Sequence, residues 1–196
     1  MGSVVVGVDI GQKRDPTAVA VVEHEWRKRD GREEDHWLAR HLERLPLGTP
    51  YPQVAVRLVE VVESVRRHTK STPTINVDAT GVGQPVVDEM IRRGLSATAC
   101  FFTHGDRRTA EGMRVTIGKA WLVSRMQALL QGGRLHLPDI SEAHALTDEL
   151  LDYEIRVDEN ANDRYGAFRV GKHDDLVTAL GLAVQVEPWI PLIGRA

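Results

Sequence analysis

The sequence predicts an α/β domain built on a mixed central sheet flanked by helices, with three antiparallel strands at its start. Three observations carry that prediction. The chain opens on the apolar run Val4-Val5-Val6-Gly7-Val8, which ends in Asp9 and reads as a central strand buried on both faces. Thr72 to Phe102 reads as strand, helix, strand, and such a crossover implies parallel pairing. A last helix starting near Asp174 is apolar almost all round, which demands deep packing.

In order along the chain, Gly11 to Pro16 is a turn, and Ala18 to Val22 is a second β-branched run pairing back as a hairpin. The polar insert Glu25 to Asp35 contains the turn signal Asp30-Gly31 and leads to a third strand near Trp37 to Leu45. Pro50 and Pro52 bracket the start of a helix with Val54, Leu58, Val61, Val62 and Val65 on one face. Thr74 to Asp78 is a strand. Ala79 to Gly83 then leads into a helix through Val86, Val87, Met90 and Ile91. Gly105 to Glu111 reads as a basic polar loop, and Lys119 to Leu130 as a helix stopped by Gly132-Gly133. Leu135 to Leu137 is a short strand and Glu142 to Leu151 a helix. Tyr153 to Val157 and Tyr165 to Val170 form a hairpin around the loop Asp158 to Arg164.

With 196 residues, the chain has room for one core over residues 1–196 and not for two full lobes. No apolar stretch reaches a membrane span and Met1-Gly2-Ser3 carries no signal pattern, so the expected address is cytoplasmic, with no membrane partner. The single Cys100 excludes a disulfide scaffold and reads as a small buried hydrophobe. The formal charge of -3, from 25 basic and 28 acidic residues, weighs against a protein whose task is coating nucleic acid.

Three acidic positions stand beside sequence that ought to be buried. Asp9 and Asp78 each end a central strand, and Asp174-Asp175 opens the most apolar helix. Adjacent parallel strand ends bring their carboxylates together, and a packed helix presents a third over the same edge. Unpaired, such acids repel and raise one another's pKa. Divalent cations resolve the conflict, because hard oxygen ligands suit Mg²⁺ or Mn²⁺, and a pair of ions activates water against a phosphodiester. Each acid also has an ordinary reading: Asp9 as a turn acid, Asp78 as a helix cap with Thr80 the better placed capper, and the doublet as capping and dipole residues. Their joint occurrence favours the chemical one. Asp174 and Asp175 lie about 100° apart on a helix, so one of the two faces the strand acids.

These residues resemble a known family. Val8-Asp9 with Asp15-Pro16-Thr17-Ala18, then Asp78-Ala79-Thr80-Gly81-Val82-Gly83, then His173-Asp174-Asp175-Leu176-Val177, look like the nuclease domain of tailed-bacteriophage large terminase subunits. The resemblance runs in order over nearly the whole chain and includes Gly118-Lys119 and Gly133-Arg134-Leu135. It implies a ribonuclease H-like fold and an endonuclease that cuts concatemeric viral DNA during genome packaging. It further implies two Mg²⁺ or Mn²⁺ ions held by Asp9, Asp78 and Asp175, with Asp9 bridging and Asp174 as helper or alternative ligand. Double-stranded DNA, a terminase ATPase domain, a small terminase subunit and a portal are the implied partners, in the cytoplasm of a host cell. The ATPase domain of a complete large terminase has no counterpart in this sequence, which reads as an isolated nuclease domain.

Other signals are weaker. Gly112 to Ala120 mimics a phosphate loop but has one residue too many between its glycines and Ala120 where magnesium needs a hydroxyl. Gly81-Val82-Gly83 lacks the third glycine of a dinucleotide fingerprint. A junction resolvase and a non-catalytic actin-like nucleotide-binding lobe are the rival assignments, the latter opposed by chain length. His173 reads as an accessory ligand or a hydrogen-bonded residue at the helix start. Lys119 reads as a partner for the scissile phosphate or an active-site carboxylate, or as a solvated lysine. Arg107, Arg108 and Arg114 are the DNA-contact candidates, on the expectation that their loop lies beside the metal edge. No base-reading motif is present, so cleavage with little sequence preference is expected. Setting the four acids aside leaves 25 basic against 24 acidic residues, so the overall charge no longer opposes a DNA substrate.

Overall fold

The computed structural model describes residues 2–11, 15–81, 83–103, 105, 107–157, 163–166 and 173–185. An eight-stranded mixed sheet forms its middle layer. β1 (Ser3–Asp9) pairs antiparallel with β2 (Ala18–Arg29), and β2 antiparallel with β3 (Arg32–Arg44). On the other side of β1 lie β4 (Thr74–Asp78), β5 (Thr98–Thr103) and β7 (Arg114–Gly118), all parallel to it. β6 (Arg108–Glu111) closes that edge antiparallel, and the two-residue β8 (Leu135–His136) closes the other, giving the order β6-β7-β5-β4-β1-β2-β3-β8. β9 (Glu154–Val157) and β10 (Asp163–Gly166) form a separate antiparallel pair.

Strand alternation assigns the two faces. Val4, Val6, Val8, Val19 and Val21 pack under α1 (Tyr51–Thr69) and α2 (Gly83–Arg92). Val5, Ala18, Ala20 and Val22 face the opposite way, toward α3 (Lys119–Gln131), α4 (Ser141–Asp152) and α5 (Asp175–Ala183). The result is three layers with an apolar core on each side of the sheet. α5 is buried along its whole length, as its sequence demands. Among the described residues, no helix is long and apolar enough to cross a membrane.

Several expectations change. The polar insert is no loop: β2 and β3 run on as one long ribbon joined at Asp30 and Gly31, both with positive φ, as a two-residue hairpin turn requires. The third strand therefore begins at Arg32 rather than Trp37. The expected basic loop before Lys119 is the β6–β7 hairpin, and the phosphate-loop mimic is its turn and second strand. A four-residue, mostly exposed edge strand such as β6 carries too little apolar alternation to be read as a strand, and the five residues of β7 are too few to show a period. The hairpin near the C-terminal side is present as β9 and β10. Its second strand starts at Asp163, and residues 158–162 and 167–172, where the expected loop and strand end fall, lie outside the described residues. Cys100 is a free thiol in the core, where burial pushes its pKa up to about 12.

α5 crosses β1 at Gly7. A Cβ at this position would stand 2.0 Å from the Ala179 carbonyl oxygen and 2.5 Å from the Ala183 nitrogen, so only glycine permits the approach. On neighbouring β4, the buried Asn76 donates its Nδ2 to the Leu182 carbonyl at 2.9 Å, fixing the same helix along its axis. Gly7→Ala presses a methyl onto backbone that cannot rotate away. The expected loss is about 3 kcal/mol of unfolding free energy, measured by urea denaturation. A variant as stable as wild type would show that α5 has room to lift.

Candidate active site

The strand register sets one row of side chains across the sheet. Asp9 pairs with Ala18 and Ala18 with Arg44, while Val8 opposite Val77 sets Asp78 level with Asp9. The row Asp78, Asp9, Ala18, Arg44 thus crosses four neighbouring strands at about 5 Å per step. Asp9 shares its strand face with Val5 and Gly7, and Asp78 shares its face with Asn76, so both acids look toward α5. The α5 helix starts above that row with Asp174 at its N-cap position and Asp175 as its first residue.

Asp9 is the electrostatic focus. Burial raises its pKa well above the usual carboxylate range, Asp78, Asp174 and Asp175 raise it further, and Lys119 opposes them. Asp78 is also raised, by burial first and by Asp174 last. Hydrogen bonding from Thr80 and the charge of Lys119 act the other way. The Thr80 amide donates to Asp78 Oδ1 at 2.8 Å. Gly83 backs this turn: a Cβ there would lie 1.8 Å from the Asp78 carbonyl oxygen.

The ordinary readings of the acids fare differently. The Thr80 hydroxyl accepts the Phe102 amide at 2.9 Å and ties the turn to β5. The Gly11 amide donates to Thr17 Oγ1 at 3.1 Å, so a hydroxyl serves the turn after Asp9. Asp174 makes no side-chain cap bond. The third amide of α5, that of Val177, instead donates to Glu149 Oε2 of α4 at 3.0 Å. The cap comes from another helix.

Asp175 is buried, and its Oδ2 accepts Arg44 Nε at 2.7 Å. Its Oδ1 is buried with no hydrogen-bond partner. Arg44 also grips the buried Glu149 through a second guanidinium nitrogen. Sequence reasoning missed Arg44 and Glu149, because a lone Arg and a lone Glu more than 100 residues apart carry no local signal.

Lys119 opens α3 and acts on both strand acids, with its Nζ 5.6 Å from the Phe102 ring centre. His173 turns to Asp15, with Nδ1 3.3 Å from Oδ1. Arg107 and Arg108 flank the end of β7 on the side of the acidic strand ends, since the Gly118 amide donates to the Arg107 carbonyl at 2.7 Å. Arg108 Nε is buried without a partner. Arg114 is elsewhere. It starts β7 opposite Ala99, at the far end of that strand, and stacks 3.9 Å over the Phe101 ring centre. The expectation that all three arginines lie at one edge fails for Arg114, because a strand intervenes where a loop was expected.

The donor chemistry fits a hard divalent cation: carboxylate oxygens on one edge, one of them buried and unpartnered at Asp175. Among the described residues, however, no three His, Cys, Asp or Glu side chains already converge on a single point. Asp175 leans toward Arg44.

The family model described as the terminase RNaseH-like domain matches residues 6–187. No curated protein matches the sequence. Among solved structures, the large terminase nuclease from thermophilic phage G20c is similar at TM-score 0.68 and 20% identity, over 93% of this chain and 81% of that one. The same nuclease with bound magnesium gives TM-score 0.67 at 21% identity, over 93% and 80%. The Thermus phage P74-26 large terminase nuclease domain gives 0.63 at 19%, over 93% and 78%. The HK97 bacteriophage large terminase gives 0.60 at 13%, over 93% of this chain and 39% of that one. The sheet order, the flanking helices and the match over residues 6–187 agree: the chain belongs to the terminase RNaseH-like domain family.

Proposed function

We propose that this chain is a metal-dependent endonuclease that cuts concatemeric viral DNA during genome packaging. The observation that carries the reading is the level pair Asp9 and Asp78 beneath the Asp174-Asp175 doublet, with Asp9 held far above its ordinary pKa by burial and by those neighbours. Family membership and the bound magnesium of the similar G20c nuclease support it.

Asp9, Asp78 and Asp175 would hold the divalent ions, with Asp174 assisting. Two Mg²⁺ or Mn²⁺ ions would supply the charge that activates water and stabilises the leaving oxygen of the phosphodiester. Lys119 would meet the scissile phosphate beside Asp9 and Asp78. Arg107 and Arg108 would hold the DNA backbone at that edge without reading bases. His173, bonded to Asp15, would steady the approach to α5. The proposed setting is the cytoplasm of an infected host, where an ATPase domain, a small terminase subunit and a portal would bring double-stranded DNA to this edge.

Plasmid nicking with Mn²⁺ or Mg²⁺ tests the reading. Wild type is expected to nick, chelator to stop it, and Asp9→Asn to lower the rate by at least about 100-fold, the scale on which loss of transition-state charge stabilisation acts. Full activity in Asp9→Asn sinks the assignment. Within the doublet, Asp175→Asn should lose more activity than Asp174→Asn. The opposite order would move the ligand role to Asp174.

The raised pKa of Asp9 also makes a prediction that needs no DNA. A folded-state pKa above the unfolded value means that Asp9 lowers the stability of the metal-free fold at any pH above the unfolded value, neutral pH included. In chelator at pH 7, Asp9→Asn should therefore melt higher than wild type, by about 2–4 °C for each kcal/mol relieved. The gap is full above the raised pKa and closes as pH falls toward the ordinary value of 3.8. Adding Mn²⁺ should stabilise wild type and leave the variant nearly unmoved. A variant that melts below wild type in chelator would contradict the account of Asp9.

A further inference from the structure

The Arg44 contacts carry an inference beyond the acids themselves, and it rests on the reading of Asp175 as a metal ligand. Arg44 stands at the end of the sheet row, with only the methyl of Ala18 between it and Asp9. Its Nε meets Asp175 Oδ2 at 2.7 Å, and a second nitrogen meets Glu149. Glu149 in turn accepts the Val177 amide at 3.0 Å with its other oxygen. Three elements, β3, α4 and the first turn of α5, are thereby closed into one ring of charge-assisted hydrogen bonds. One group in that ring has a valence left over: Asp175 Oδ1, buried and without a partner.

We propose that Arg44 and Glu149 are positioning residues that present Asp175 Oδ1 to the metal. A planar guanidinium that fills Oδ2 fixes the plane of the carboxylate, so the opposite oxygen is the one offered to an ion. Glu149 holds the guanidinium from behind and takes over the cap of α5, which leaves both acids of the doublet uncommitted to capping. The clamp also explains how an acid that is only 3% exposed keeps its place while no cation is near. An isolated buried carboxylate is unfavourable, and Arg44 supplies the compensating charge. Nothing in the clamp touches substrate, so its effect falls on metal affinity before it falls on the chemical step.

The test measures Mn²⁺ binding, by electron paramagnetic resonance of free manganese, to the 196-residue chain carrying Arg44→Gln, Arg44→Lys or Glu149→Gln, each checked for a folded circular dichroism spectrum. Arg44→Gln should weaken Mn²⁺ binding about 10-fold or more, the usual effect of losing a group that orients a ligand. Its nicking rate should approach the wild-type value at saturating Mn²⁺. Arg44→Lys should restore part of the affinity, because it returns the charge without the fork. Glu149→Gln, which keeps an acceptor for the Val177 amide, should weaken binding less than Arg44→Gln. In an Asp175→Asn background, Arg44→Gln should cause no further loss.

Wild-type affinity in folded Arg44→Gln, or an equal loss with and without Asp175, would overturn the proposal and leave Arg44 a purely structural residue. If Arg44→Gln does not fold, wild-type affinity in both Arg44→Lys and Glu149→Gln overturns it instead. Failure of wild type itself to bind Mn²⁺ would refute the underlying metal site, a separate result from failure of the clamp.

Discussion

The contact on which the rest of the structure depends is the backbone-to-backbone approach of α5 to β1 at Gly7. A helix normally rests above a sheet on a cushion of side chains. Here the missing Cβ lets the Ala179 carbonyl and the Ala183 nitrogen come down onto the strand itself. Asn76 on the next strand fixes the helix axially through the Leu182 carbonyl. Lowered and fixed in this way, α5 has its first turn over the strand ends that carry Asp9 and Asp78. Gly181 extends the same logic outward, since a Cβ there would meet the Leu122 side chain of α3 at 2.4 Å. The helix is packed by glycine on two sides, and the position of its acidic N-terminus follows.

That position creates an electrostatic conflict. Four carboxylates share one edge, burial raises Asp9 and Asp78, and the cations acting on them are unevenly distributed. Lys119 serves the strand acids from the start of α3, whereas Arg44 serves Asp175 from the end of β3. A fold selected for stability alone would place apolar residues at these strand ends, because buried charges rarely improve on well-packed hydrophobes. Retaining the acids makes sense when a divalent ion completes the charge balance. The same repulsion accounts for the absence, among the described residues, of three acids converging on one point, while Arg44 fixes the carboxylate of Asp175 through Oδ2.

Much of this was legible in the sequence, and the reasons are physical. Buried strands and a buried helix have no polar face, so Val4 to Asp9, Thr74 to Asp78 and the run after Asp174 read directly as core elements ending or beginning in acids. The Asp-Ala-Thr-Gly-Val-Gly segment was informative because Gly83 is sterically required against the Asp78 carbonyl. Register was not legible. Nothing local says that Ala18 lies between Asp9 and Arg44, or that Glu149 caps a helix starting 26 residues later at Asp175. The β6–β7 hairpin is hidden because both strands are short and β6 is mostly exposed and polar, so in the sequence Arg114 groups with Arg107 and Arg108 while β7 sets it at the other end. His173 keeps an exposed partner in Asp15, a contact across 158 residues that no local pattern signals.

The row Asp78–Asp9 and the first turn of α5 are proposed to make one cation site together. A crystal of the protein soaked in Mn²⁺, with data collected at the manganese absorption edge, tests it most directly. The account predicts anomalous peaks within coordination distance of Asp9, Asp78 and Asp175 Oδ1, with Arg44 still on Asp175 Oδ2. Manganese absent from that edge while bound elsewhere on the protein, or bound there without Asp175, would contradict it.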